Sequence, residues 1–130
     1  MERTMRNRLR EIVRKAEDDM DVLAVIAFGS HARGDAGPGS DVDVCLVLLP
    51  REYEPIQLSH KKMEYLKTFD LDIQIFQQLP LYIRTRVLKE GEVLFCRNED
   101  ELYELAFRTA QQFEDFRPIY HAYLEEVARG

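Results

Sequence analysis

The sequence predicts an α/β (α+β) fold: a small mixed β-sheet with helices packed mainly on one side. Three observations predict it. Two apolar runs of strand length, Val22–Phe28 and Asp41–Leu49, lie on either side of a glycine-rich turn. A third stretch, Asp70–Phe76, alternates apolar and polar residues. Around these runs, apolar residues recur at helical spacing. The order is helix, strand, turn, strand, helix, strand, helix, strand, and then two helices.

Each element has its own signal. Met5, Leu9, Ile12, Val13, Ala16 and Met20 make residues 3–19 an amphipathic helix. Asp18, Asp19 and Asp21 mark its exit. Val22–Phe28 lacks polar alternation, the pattern of a central strand covered on both faces. Residues 30–34 suit a short helical turn with Ser30 near its start, and Ala36-Gly37-Pro38-Gly39 is a loop. Asp41–Leu49 is the second strand, closed by Pro50. Ile56, Leu58, Met63 and Leu66 give a helix starting near Pro55. In the third strand, Leu71, Ile73 and Ile75 face one way, and Asp70, Asp72, Gln74 and Phe76 the other. A helix follows from Leu79-Pro80 to Leu88, with Pro80 suited to its first turn and Gly91 to its end. Val93–Phe95 is a short strand. Residues 99–116 are helical, Arg117-Pro118 interrupts them, and a last helix runs to about Arg129.

Composition narrows the function. A length of 130 residues suits one domain with one core. There is no apolar run near 18 residues, so no membrane span is expected. The arginine-rich start lacks the apolar stretch of a signal peptide. Cys45 and Cys96 have no framework spacing and no metal-ligand partner. They read as reduced packing residues of a cytoplasmic protein. With 18 basic and 24 acidic residues the net charge is −6, which argues against direct nucleic-acid binding. Arg3, Arg6, Arg8, Arg10, Arg14 and Lys15 nevertheless crowd the first helix. They form either its solvated face or a docking face for an acidic partner or RNA.

The chemistry concentrates in residues 29–43. A strand delivers Gly29-Ser30, and ten residues later Asp41-Val42-Asp43 opens the next strand. Residues two apart on a strand share a face, about 6–7 Å apart along the chain. Two same-face aspartates opposite a small turn suit a magnesium-nucleotide site: carboxylates hold the ion, and turn N–H groups meet phosphate oxygens. Bridging two ions takes at least three carboxylates. The third is Asp72 or Asp70, which share a face of the next strand. Asp72 lies deeper in it.

This pattern resembles the nucleotidyltransferase superfamily of the DNA polymerase beta type, and within it the minimal nucleotidyltransferases, the MntA-like antitoxins paired with a HEPN-domain toxin. Gly29, Ser30, Asp41 and Asp43 fill the Gly-Ser, ten residues, Asp-x-Asp motif. Gly29-Ser30-His31-Ala32-Arg33-Gly34 is similar to the Gly-Ser-x-Ala-Arg-Gly variant of minimal members. Asp72-Ile73-Gln74-Ile75 is similar to the family's third-carboxylate run. The resemblance implies a nucleotidyltransferase fold, with residues 1–130 as one such domain and a C-terminal helical segment at about 99–129. It also implies that Gly29 and Ser30 hold the β- and γ-phosphates of ATP, that Asp41, Asp43 and Asp72 hold two Mg2+ ions, and that Asp72 takes the acceptor's proton. Arg33 would reach a phosphate or the leaving pyrophosphate, or else form a salt bridge with Asp35 or the carboxylate pair. Ser40 would orient a carboxylate or merely end a turn. His31 reads as a surface or capping residue, and Lys89 and Arg97 could approach the triphosphate.

The activity implied is transfer of AMP from ATP to a tyrosine of a HEPN-type toxin. Two alternatives stand beside it: a small-molecule nucleotidyltransferase of the aminoglycoside-modifying kind, and a non-catalytic antitoxin that acts by binding alone. The aromatics Tyr103, Phe107, Phe113, Phe116, Tyr120 and Tyr123 fit either core or an interface, and an interface would make the protein part of a homo- or hetero-oligomer.

Overall fold

The computed structural model describes residues 3–29 and 43–129, with side chains over 5–29, 43–116 and 124–128. Its elements are α1 (Arg3–Asp18), β1 (Val22–Phe28), β2 (Asp43–Leu48), α2 (Pro55–Thr68), β3 (Asp72–Ile75), a 3-10 turn (Phe76–Gln78), α3 (Leu81–Glu90), β4 (Glu92–Cys96) and α4 (Glu99–Arg129). The expected turn at 30–34 and loop at 36–39 lie outside the described residues.

The four strands form one sheet in the order β3-β2-β1-β4. β1 pairs antiparallel with both β2 and β4, and β2 pairs parallel with β3. The sheet is therefore mixed, as its sequence implies. β1 is buried along almost its whole length, which is why it carries no polar alternation. A parallel pair needs a crossover, and α2 supplies it. Glu54 opens α2 with its backbone N–H donating to Gln57 Oε1 at 2.8 Å, and Pro55 takes the first turn, where no N–H is missed.

The helices divide between the two faces of the sheet rather than gathering mainly on one. Leu9, Ile12 and Ala16 of α1, Tyr65 of α2 and Phe69 just past its end pack with Val44, Leu46, Ile73 and Ile75. On the other face, Val87 of α3 and the flanking Ile83, Leu88, Leu102 and Leu105 pack with Ile26, Cys45, Val47 and Phe76. Both faces of a central strand need cover, and two helices cannot wrap both.

Three other details depart from the sequence expectations. β3 is shorter than Asp70–Phe76: Asp70 precedes it, and Phe76 begins the 3-10 turn. Beyond its end, the Gln77 side chain takes over the ladder. Its Oε1 accepts from Leu48 N–H at 3.2 Å, and its Nε2 donates to Leu48 O at 2.9 Å. Gly91 ends α3 with φ −75°, not in the left-handed region. Its lack of a side chain answers close packing instead, because a Cβ would lie 2.4 Å from Ile26 Cγ2 and 2.5 Å from Val87 O. Finally, α4 runs unbroken past Pro118. A proline removes one helical hydrogen bond, while strong helix formers on both sides, such as Gln111, Gln112, Glu125 and Ala128, sustain the rest.

At the start of β1, away from Gly29, a polar cluster ties α1 to α2. Asp19 Oδ2 accepts from Tyr65 Oη at 2.9 Å and from Lys61 Nζ at 3.0 Å, and Lys61 also donates to Asp21 at 3.1 Å. Burial acts to raise the Asp19 carboxyl, but the hydrogen bonds from Lys61 and Tyr65 outweigh it and hold the group below its ordinary value.

Candidate active site

The end of β1, the start of β2 and the start of β3 meet at one edge of the sheet. Phe28 pairs with Asp43 across β1 and β2, and Asp43 pairs with Asp72 across β2 and β3. Register partners in a sheet point to the same face. Val44 and Ile73, the next partners, are buried on the α1–α2 face, so Asp43 and Asp72 stand together on the α3–α4 face. Neighbouring strands lie about 4.8 Å apart, close enough for the two carboxylates to share a cation.

Gly29 shapes the same corner. Its φ of 96° is left-handed, and a Cβ there would lie 2.7 Å from Asp43 Oδ2. The glycine thus serves both the turn and the carboxylate's space. A cleft of about 190 Å3 opens here, lined by Phe28, Gly29, Asp43, Ile83, Arg86, Val87 and Glu90. The last four recur at i, i+3, i+4 and i+7, so one stripe of α3 forms the wall. Sequence reasoning missed Arg86 and Glu90. The available signal was their charge at two positions of an otherwise apolar stripe. Arg86 Nη2 lies 3.4 Å from Glu90 Oε2, which holds the guanidinium at the cleft rim.

The structure separates the two rivals for third carboxylate. Asp70 lies outside β3, its side chain 95% exposed, and Arg8 of α1 sits 3.9 Å from its carboxylate and donates to its backbone oxygen. Asp72 is in register with Asp43 and accepts from Gln74 Nε2 at 3.1 Å. Ser30, His31, Arg33, Ser40 and Asp41 lie outside the described residues. Lys89 sits exposed in the last turn of α3 and does not line the cleft.

Arg97 is engaged elsewhere. Its Nε donates to Val22 O at 3.0 Å, and Nη2 to the carbonyls of Ala16, Glu17 and Asp19 at 2.8, 2.9 and 3.2 Å. It satisfies the open carbonyls at the end of α1, a structural task at the opposite end of β1 from Gly29.

Among the described residues, no three His, Cys, Asp or Glu side chains form a metal-binding group; Asp43 and Asp72 supply two carboxylates. The donors are hard oxygens, and Gly29 leaves space beside one of them. That chemistry fits magnesium.

Residues 10–100 match the family described as polymerase beta, nucleotidyltransferase. The chain belongs to this family. A Methanocaldococcus jannaschii protein named as a candidate protein adenylyltransferase is 32% identical over 99 residues, covering 76% of this chain and 70% of that relative. Solved structures share the fold. A chain of the tri-AMPylated Shewanella oneidensis HEPN toxin in complex with MNT antitoxin aligns with a TM-score of 0.69 at 13% identity, over 95% of this chain and 98% of that one. A chain of a toxin–antitoxin structure with AMP-PNP gives 0.68 at 16% identity, over 94% and 97%. A Sulfolobus solfataricus nucleotidyltransferase candidate gives 0.54 at 23% identity, over 72% and 84%. The nucleotidyltransferase likeness of the Gly-Ser and Asp-x-Asp motif therefore holds at the level of family and fold.

Proposed function

We propose that this protein is a magnesium-dependent nucleotidyltransferase that moves AMP from ATP to a tyrosine hydroxyl of a HEPN-type toxin, and so acts as an antitoxin. The observation that carries this reading is Asp43, which lines the cleft beside Gly29 and stands in register with Asp72 on the next strand. The adenylyltransferase relative supports AMP as the transferred group. The toxin–antitoxin neighbours support the choice of partner.

Asp41, Asp43 and Asp72 would hold the ions. Magnesium, when bound, neutralises triphosphate charge and lowers the pKa of the acceptor hydroxyl. Gly29 and Ser30 present backbone N–H groups to the β- and γ-phosphates. Arg86 at the cleft rim would offer a guanidinium fork to the same oxygens, and Arg33 would add a second. Ser40 would orient a carboxylate of the Asp41 and Asp43 pair. Asp72 takes the proton as the tyrosine oxygen bonds to the α-phosphorus. The bond from that phosphorus to the bridging oxygen breaks, and pyrophosphate leaves. A cleft of about 190 Å3 is smaller than the usual ligand site of about 300–1,000 Å3, so it would take the phosphates rather than the whole nucleotide.

The test incubates the chain with a HEPN toxin encoded beside it, magnesium and ATP labelled in the α-phosphate. Label is expected on a toxin tyrosine, and Asp43→Asn and Asp72→Asn should abolish it while circular dichroism stays unchanged. Toxin silenced without label would favour the binding-only antitoxin. The exposed Tyr103 and Phe107 are the observation that keeps that second reading in view.

A further inference from the structure

A line of donors ends on Asp72. Gln74 lies two residues on, on the same face of β3, and its Nε2 donates to Asp72 Oδ1 at 3.1 Å. Lys62, reaching from α2, donates its Nζ to Gln74 Oε1 at 3.3 Å. Lysine can only donate, so the amide must turn its oxygen to Lys62 and its NH2 group to Asp72. Which way an amide points is usually a free choice of two; here the ammonium settles it.

Asp72 needs such a hold. It opens an edge strand, it is exposed, and its terminal torsion is intrinsically broad. On the inner side it faces Asp43, another acceptor that can give it no hydrogen bond. With Oδ1 engaged by Gln74, the plane of the carboxylate is set and Oδ2 is left for an ion or an acceptor hydroxyl. We propose that Gln74 and Lys62 are positioning residues that orient the Asp72 carboxylate for the reaction. This inference rests on the reading of Asp72 as third carboxylate, and adds the parts of the fold that aim it.

Groups that orient a metal-binding carboxylate commonly change affinity or activity about 10–100-fold when removed. The exposed setting puts Gln74 at the low end. Four variants separate the outcomes: Gln74→Leu, Gln74→Glu, Lys62→Met and Lys62→Arg. Each is assayed for kcat and for KM of ATP, and for Mn2+ binding by electron paramagnetic resonance in the presence of ATP. Gln74→Leu should lower kcat about tenfold and weaken Mn2+ binding severalfold, with KM for ATP within about threefold of the parent. Gln74→Glu keeps the size and the acceptor for Lys62 but cannot donate to Asp72, so it should lose as much as Gln74→Leu. Lys62→Met should show a smaller loss of the same kind, and Lys62→Arg should restore the parent values. Parent kcat and Mn2+ binding in both Gln74 variants would overturn the inference. Asp72→Asn is the control: if it retains transfer, the reading of Asp72 itself fails. If it is dead while the Gln74 variants are normal, only the positioning role fails.

Discussion

At Gly29 one missing methyl group serves two demands. The φ of 96° is strained for any other L-residue, and the site of a Cβ lies 2.7 Å from Asp43 Oδ2. Gly29→Ala should therefore cost about 1–3 kcal/mol of stability from backbone strain and also displace the Asp43 carboxylate. Denaturant melts and the AMP-transfer assay check the two parts separately. A stable but inactive Gly29→Ala would point to the displaced carboxylate alone. The Asp19–Lys61 pair is a second residue-scale case. The side chains are 13% and 16% exposed, and Tyr65 shares the carboxylate. Lys61→Met would leave Asp19 charged and poorly solvated, at about 2 kcal/mol, below the range for a fully buried pair. The sign of the pH effect follows from the direction of the shift. Asp19 is held below its ordinary 3.8, so its contribution is present above that value and fades as pH falls through the lower, folded value. Lys61 is held above its ordinary 10.5 because its hydrogen bonds to Asp19 and Asp21 outweigh burial, so its contribution fades only as pH rises past that value. Thermal melts should show the parent and Lys61→Met furthest apart from about pH 5 to 9 and converging below pH 4.

Among the elements, α4 carries the clearest unspent surface. Leu102 and Leu105 pack onto the sheet, and Thr109 is buried, but Tyr103 and Phe107 are 76% and 70% exposed. They stand one turn apart on α4, and Tyr103 lines a groove with Val93 of the edge strand β4, itself half-exposed. Of the aromatic set, then, Tyr103 and Phe107 do not serve the core, and Phe113 and Phe116 are half-buried. Aromatic anchors of this kind carry about 2 kcal/mol or more at protein interfaces. Tyr103→Ser with Phe107→Ser should leave the melting temperature nearly unchanged and weaken toxin binding by about 30-fold or more, as read by calorimetry. Parent affinity in the double variant would move the interface elsewhere, with the basic face of α1 next in line. The two core clusters draw on no described residue beyond Leu105. A chain ending at Phe116 should therefore fold and still bind magnesium-ATP.

For the molecule as a whole, stability should couple to the ligand. Under the proposed function, magnesium-ATP at 100 times its Kd should add about 2.7 kcal/mol to a native state that alone binds it, and so raise the melting temperature by several degrees. EDTA should remove that gain, and Asp43→Asn should show little of it. Cys45 reports the same global equilibrium. Burial pushes its thiol up to about 12, so a disulfide reagent should reach it only through unfolding, and magnesium-ATP should slow that reaction.

The sequence by itself determined where the strands lie to within a few residues, which faces they present, and that Gly29 and Asp43 stand at neighbouring strand ends. These rest on short-range facts: apolar runs, the period of two, and a turn that needs glycine. Val22–Phe28 is β1 residue for residue, and Cys45 was legible as packing. Only the tertiary structure decided the long-range matters. Asp72 differs from Asp70 because parallel pairing sets it opposite Asp43, while Arg8, 62 residues away in sequence, holds Asp70. Arg97 was a free cation on paper and is a clamp on α1 in space. Arg86 and Gln74 gained their places from a helix stripe and an edge strand whose neighbours no local pattern names. A local signal encodes which face a residue takes. What stands across from it depends on strand order and helix packing, which arise from burial summed over the whole chain.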